Sequence, residues 1–178
     1  MQKSQQTLVQ NSRIDIRDLN EADFESLRAL YARSLSRNSK GFIQPSASRP
    51  LRDIGDICCS FQDNNGAMHG LYVDGNLVGF GGLWRHNDDT RVEVCKLHLN
   101  EDYQGLGLGR KLLESLIDKA DSKGYETIEL HVTATQVAAL GLYVRMGFMQ
   151  TARKIFVSDD GEQFDTIYME RAVRMQVD

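Results

Sequence analysis

Residues Gln104-Gly105-Leu106-Gly107-Leu108-Gly109-Arg110 form the stretch whose types and spacing speak most directly of chemistry. The first turn of a helix leaves backbone N–H groups without partners, and its dipole gathers partial positive charge there. Glycines let the chain curl so that those amides converge on one point, with no Cβ in the way. Arg110 and Lys111 lie at the same helix end, where a cation opposes the dipole unless an anion sits between them. The pattern points to a pyrophosphate gripped by main-chain amides. Two other phosphate-binding patterns do not fit. A Walker A loop needs a hydroxyl residue after its lysine, and Leu112 follows Lys111. A Rossmann fingerprint counted from Gly105 needs its third glycine one residue later than Gly109, and its turn follows the strand directly, whereas Asn100-Glu101-Asp102-Tyr103 intervenes here.

Elements on either side must hold this loop in place. Arg13-Ile14-Asp15-Ile16-Arg17 alternates polar and apolar residues, the period of a strand. Asn20 is placed to cap a helix carrying Phe24, Leu27, Tyr31 and Leu35 on one face. Residues 37–48 read as a loop, and Pro50 as the first residue of a second helix with Leu51, Ile54, Ile57 and Phe61 on one side. Strands at 69–73 and 76–80 flank Asp74-Gly75, a dipeptide suited to a two-residue hairpin turn. A third strand spans 91–99. Beyond the glycine loop, Leu112, Leu113, Leu116, Ile117 and Ala120 mark an amphipathic helix that stops at Gly124. A strand at 127–132, a helix at 137–146 ended by Gly147, and a closing hairpin at 148–157 and 164–170 complete the order. The pattern predicts a single α+β, or mixed α/β, domain at 13–172 around one mostly antiparallel sheet, behind a disordered tail at 1–12.

Composition narrows the function classes. Lys and Arg number 21 against 25 Asp and Glu, a net charge of -4, so no basic footprint for nucleic acid is present. Three cysteines, two of them adjacent and none in CxxC, form neither a disulfide framework nor a zinc ribbon. His69, His86, His98 and His131 lack metal-ligand spacing, and no metal is expected. The polar first twelve residues lack a secretory apolar core, and no apolar run suffices to span a bilayer, which points to a cytoplasmic protein without a membrane partner.

Q-x-x-G-x-G at 104–109, after the strand at 92–99 and before a helix, resembles the coenzyme A loop of the GNAT superfamily of N-acetyltransferases. Ala139-Leu140-Gly141-Leu142-Tyr143-Val144-Arg145-Met146-Gly147-Phe148 resembles that family's A-x-x-L-Y-x-x-x-G-F segment. The resemblance implies acetyl-CoA as co-substrate, with the backbone amides of Gln104, Gly105, Leu106, Gly107, Leu108, Gly109 and Arg110 around its pyrophosphate. It also implies a sheet splayed between the strands at 91–99 and 127–132. Main-chain groups of Leu97, His98 and Leu99 would hold the pantetheine arm as an added strand. Tyr143 would protonate the departing thiolate; its alternative is a core tyrosine. Gln136 stands where the family often has Asn contacting the cofactor.

Amine attack on a thioester needs a neutral amine, so a carboxylate must draw off a proton, directly or through water. Glu93 is the candidate, sharing a strand face with Cys95, Leu97 and Leu99 by period two unless a bulge intervenes. Its alternatives are a solvent-facing carboxylate or a partner for Arg91. An oxyanion donor could come from the same strand, near Leu97. The reaction so implied is acetyl transfer to a primary amine of a small molecule or peptide, by direct attack in a ternary complex. A non-catalytic acyl-CoA-binding module on the same fold is the alternative. The edge of the closing hairpin leaves room for a homodimer.

Overall fold

The computed structural model describes residues 12–37, 53–86, 89–158 and 161–174. Among the described residues seven strands form one sheet, in the order β1-β2-β3-β4-β5-β7-β6. They are β1 (Ile14–Asp18), β2 (Ala67–Val73), β3 (Asn76–Arg85), β4 (Arg91–Leu99), β5 (Thr127–Thr133), β6 (Met149–Val157) and β7 (Gln163–Ala172). The helices are α1 (Phe24–Arg37), α2 (Ile54–Asp63), α3 (Leu108–Ser122) and α4 (Val137–Arg145). All neighbouring strands run antiparallel except β4 and β5. None of the described helices is long and apolar enough to cross a membrane.

Local chemistry sets most boundaries. Asn20 accepts from the Ala22 amide and Asp23 from the Asn20 amide, a reciprocal cap that opens the short 3-10 turn leading into α1. Asp53 caps α2 through the amides of Gly55 and Asp56, so the described helix starts at Ile54; Pro50 and Leu51 lie outside the described residues, as does the tail at 1–11. Asp74 (φ 49°) and Gly75 (φ 82°) make the tight turn between β2 and β3. Gly147 (φ 84°) ends α4 in the left-handed region, where a Cβ is costly.

β3 runs five residues past its expected end, through Gly81, Gly82, Leu83, Trp84 and Arg85. Glycines weaken a strand by propensity, but these two serve packing on opposite faces. A Cβ on Gly81 would lie 2.8 Å from a Leu97 methyl, and one on Gly82 only 2.4 Å from the Phe61 ring.

Helices cover the sheet unequally. On one face α1 and α2 bury Leu27, Tyr31, Ile54 and Phe61 against Met68 and Phe80. On the other, α3 buries Leu113 and Leu116 against Leu83, Val92, Val94 and Ile128, with Tyr143 of α4 in the same cluster. Lys119 of α3 donates to Asp18 at 2.8 Å, and His69 of β2 meets Ser115 at 2.6 Å, fixing α3 across the strands. Gly82→Ala forces the Phe61 ring aside and is expected to destabilise the fold by about 1–3 kcal/mol, the usual range for overpacking, in urea denaturation.

Candidate active site

β4 and β5 are paired only at Arg91–Thr127, Val92–Ile128 and Glu93–Glu129. Beyond that point the two strands part, while β5 stays paired to β7 along its whole length. The expected splay is therefore present, and its vertex is Glu93. A bulge lies just beyond: Lys96 has φ 55°, and the β3–β4 register shifts between Phe80 and Gly82. An extra residue in one strand reverses the side to which later residues point.

The bulge corrects one expectation. Cys95 packs with the α1–α2 core, whereas Leu97 and Leu99 pack with the clusters under α3. His98 returns to the α1–α2 side, stacked on Phe80 at 4.8 Å. Glu93 therefore shares its face with Cys95 and His98, and Leu97 and Leu99 take the opposite face, because Lys96 breaks the two-residue alternation.

The glycine loop takes the geometry that its composition predicts. Gly105 (φ 75°) and Gly107 (φ 78°) are left-handed, and Gly107 is the N-cap of α3 with no side chain capping it. The first helical bond is Lys111 N–H to the Gly107 carbonyl, 3.2 Å, so the amides of Leu108, Gly109 and Arg110 lie in the turn whose donors lack intrahelical acceptors. Gln104 turns back to donate to the Leu99 carbonyl at 3.1 Å, which ties the loop to the end of β4.

A cavity of about 1020 Å³ opens beside the parted end of β4, between the start of α3 and α4. Leu97, His98, Leu99, Gln104, Gly105, Gly107, Gly109, Arg110, Gln136 and Tyr143 all line it. Leu106 and Leu108 do not: Leu108 is fully buried and Leu106 packs beside it, leaving only their main chain to serve a ligand. Gln136 is the N-cap residue of α4, though its side chain does not cap the helix. Tyr143 is buried, edge-on to Phe148 at 5.8 Å, and among the described residues its hydroxyl has no hydrogen-bond partner. Burial, and secondarily the Cys95 thiol, pushes it up to about 12, so it keeps its proton at neutral pH.

Glu93 lies outside that cavity, and neither alternative for it holds. Its side chain is only 13% exposed, and Arg91 pairs instead with Glu129 (3.1 Å) and Glu170 (2.6 Å). Two imidazoles clasp it: His86 Nε2 lies 2.7 Å from Oε2, and His131 Nδ1 2.8 Å from Oε1. Burial alone would raise the carboxyl, but the hydrogen bonds from His131 and His86 outweigh it and hold the group below its ordinary value. Neither histidine was singled out from sequence, because each meets Glu93 only through tertiary structure.

Comparison with known proteins fits this geometry. A family model described as the acetyltransferase (GNAT) family matches residues 23–148. The chain belongs to the GNAT acetyltransferase family. The matched segment runs from the start of α1 through the glycine loop to Phe148, the last residue of the motif that carries Tyr143. Among GNAT relatives, the [Ribosomal protein bS18]-alanine N-acetyltransferase of Escherichia coli K12 is 39% identical over 84 residues, 46% of this chain and 56% of that protein. The spermine/spermidine N(1)-acetyltransferase of Bacillus subtilis is 38% identical over 86 residues, 44% and 57% respectively. The matches thus span little more than half of those curated relatives. A GNAT superfamily phosphinothricin acetyltransferase from Sinorhizobium meliloti, solved in complex with AcCoA, superposes with a TM-score of 0.74 at 18% identity, over 89% of this chain and 88% of that one.

His98 gives the site a pH signature. Burial, and then Lys96, pushes its imidazole down to about 3. The unfolded chain binds this proton near pH 6.5 and the GNAT fold does not, so stability falls as pH drops from 6.5 toward 3. The slope is about 1.4 kcal/mol per pH unit for one proton. Urea titrations from pH 7 to 4 are expected to show this loss in the wild type and to show it reduced in His98→Phe.

Proposed function

We propose that residues 13–172 form one acyltransferase domain that moves the acetyl group of acetyl-CoA to a primary amine. The observation that carries this reading is the cavity bordered by the end of β4, the start of α3 and α4, lined both by the uncapped glycine loop and by Tyr143. The residues fit the co-substrate. Donors without intrahelical acceptors suit a pyrophosphate, and Leu97, His98 and Leu99 border the gap as an added strand would require. Related proteins named for acetyl transfer support the same reaction, and one solved relative holds AcCoA.

In this reading Gln104 through Arg110 anchor the diphosphate with their main chain, and Gln136 borders the same cavity. Tyr143, protonated at neutral pH, donates toward the departing sulfur. Glu93, the carboxylate expected to serve the acceptor's proton, holds its negative charge at the vertex of the splay, clasped by His86 and His131. The Cys95 thiol, partly buried in the α1–α2 core and raised by desolvation, is a poor nucleophile, which favours direct attack by the amine over an acyl-enzyme. The acceptor is a small-molecule or peptide amine; the two curated relatives are named for an alanine of ribosomal protein bS18 and for spermine and spermidine.

Thiol release from acetyl-CoA, measured across polyamines, alanine-initiated peptides and amino sugars, tests the proposal. Release with at least one amine is expected; coenzyme A binding with no release across all three classes would leave a binding module. With the best acceptor, Tyr143→Phe is expected to lower kcat about a hundredfold while the heat of coenzyme A binding stays unchanged. An unchanged kcat removes Tyr143 as the acid.

A further inference from the structure

His131 closes the vertex of the splay. It stands two residues beyond Glu129, the last β5 residue paired to β4, on the same strand face. Its imidazole reaches back over the gap to Glu93, so a side-chain bond continues where the ladder stops. An ionised carboxylate only accepts, so Nδ1 of His131 must donate to it. That fixes the tautomer of the neutral ring and leaves the lone pair on Nε2. The second oxygen of Glu93 is held by His86 in the same manner, through Nε2. A carboxylate engaged on both oxygens is a poor resting place for a proton; an oriented neutral imidazole is a good one.

We propose that His131, through Nε2, is the base that takes the proton from the acceptor ammonium, and that Glu93 is the positioning residue that orients it. This rests on the N-acetyltransferase reading. The ammonium N–H bond breaks and its proton joins Nε2, giving an imidazolium beside the Glu93 carboxylate. The freed nitrogen pair attacks the thioester carbonyl carbon, and the C–S electron pair leaves with the sulfur. The second amine proton balances the thiolate by way of Tyr143, and the first leaves His131 for water. The side chain is 55% exposed, which gives that proton an exit.

The surroundings suit the role. The hydrogen bond to Glu93 raises the imidazole above its ordinary value, and burial opposes it more weakly. The same bond holds the ring oriented for proton transfer. From the other packed elements, Lys96 of β4 disfavours the imidazolium, Tyr168 of β7 lies 5.8 Å from the ring, and Lys154 of β6 lies 5.5 Å from the Tyr168 ring. Glu129 and Glu170 are occupied by Arg91 and do not compete for the proton. His86 is the analogous ring outside the splayed strands, on the segment after β3, and bonds the other oxygen of Glu93.

The test uses full-length protein, acetyl-CoA, and spermidine or an alanine-initiated peptide, whichever releases thiol faster. The expected wild-type kcat/KM profile has an acid limb with its midpoint above pH 6.5. His131→Gln should lose that limb and about a hundredfold in kcat, with the KM for acetyl-CoA unchanged, and added imidazole should restore rate to His131→Gly. Glu93→Gln should keep a limb displaced to lower pH. Proton NMR of the His131 ring checks the same coupling without turnover: its titration midpoint should fall in Glu93→Gln. A His131→Gln enzyme with wild-type rate and limb, or a His131 midpoint indifferent to Glu93→Gln, overturns the proposal while leaving the acetyltransferase reading intact. Absence of thiol release by the wild type with every amine overturns both.

Discussion

A parallel strand pair gains most by continuing its ladder, yet β4 and β5 stop after Glu93 and Glu129. Main-chain N–H and C=O groups in the middle of a sheet must find partners or water. Leaving a gap there is tolerable because the rest of the sheet is tied elsewhere: β4 to β3 along most of its length, and β5 to β7 throughout. The gap then behaves as an internal strand edge, ready for an extended chain of hydrogen-bonding groups. Its far end meets a second set of amides, at the start of α3. Two supplies of main-chain polarity, one linear and one convergent, define a ligand that is an amide-bearing arm ending in a diphosphate.

The bulge at Lys96 decides what else faces that gap. Without it, Leu97 would turn to the face that carries Glu93 and leave the α3 side. With it, the α3 side of the sheet is left apolar, through Leu97, Leu99 and Leu112, while charge gathers on the other side at Glu93 and His131. The apolar and the charged sides of the strand are thereby separated, the separation that the proposed transfer between a bound co-substrate and an amine would use. Beyond β4, no described helix packs on the Glu93 face over β5, β7 and β6, and Arg91 with its two glutamates forms a polar floor there.

Much of this was legible in the sequence, and the divide follows the range of the interactions. The glycine loop, the Asp74-Gly75 turn, the Asn20 cap and the stop at Gly147 are local devices that residue type and spacing reveal. The splay followed from family resemblance, not from periodicity. The Lys96 bulge left no mark, since a lysine in a strand carries no signal for positive φ. The extension of β3 was hidden because Gly81 and Gly82 are chosen for the side chains of Leu97 and Phe61, distant in the chain. The clasp of Glu93 by His86 and His131 needs the β4–β5 register before the parity of either histidine means anything.

Amide hydrogen exchange, with and without saturating coenzyme A, bears most directly on the gap and the helix start as one binding surface. Slowed exchange is expected at Gly107, Leu108, Gly109 and Arg110 together with main-chain amides of residues 97–99, and little change is expected along β1 and β2. Exchange at both sets that is indifferent to coenzyme A would contradict the binding surface described here, and with it the acetyltransferase reading.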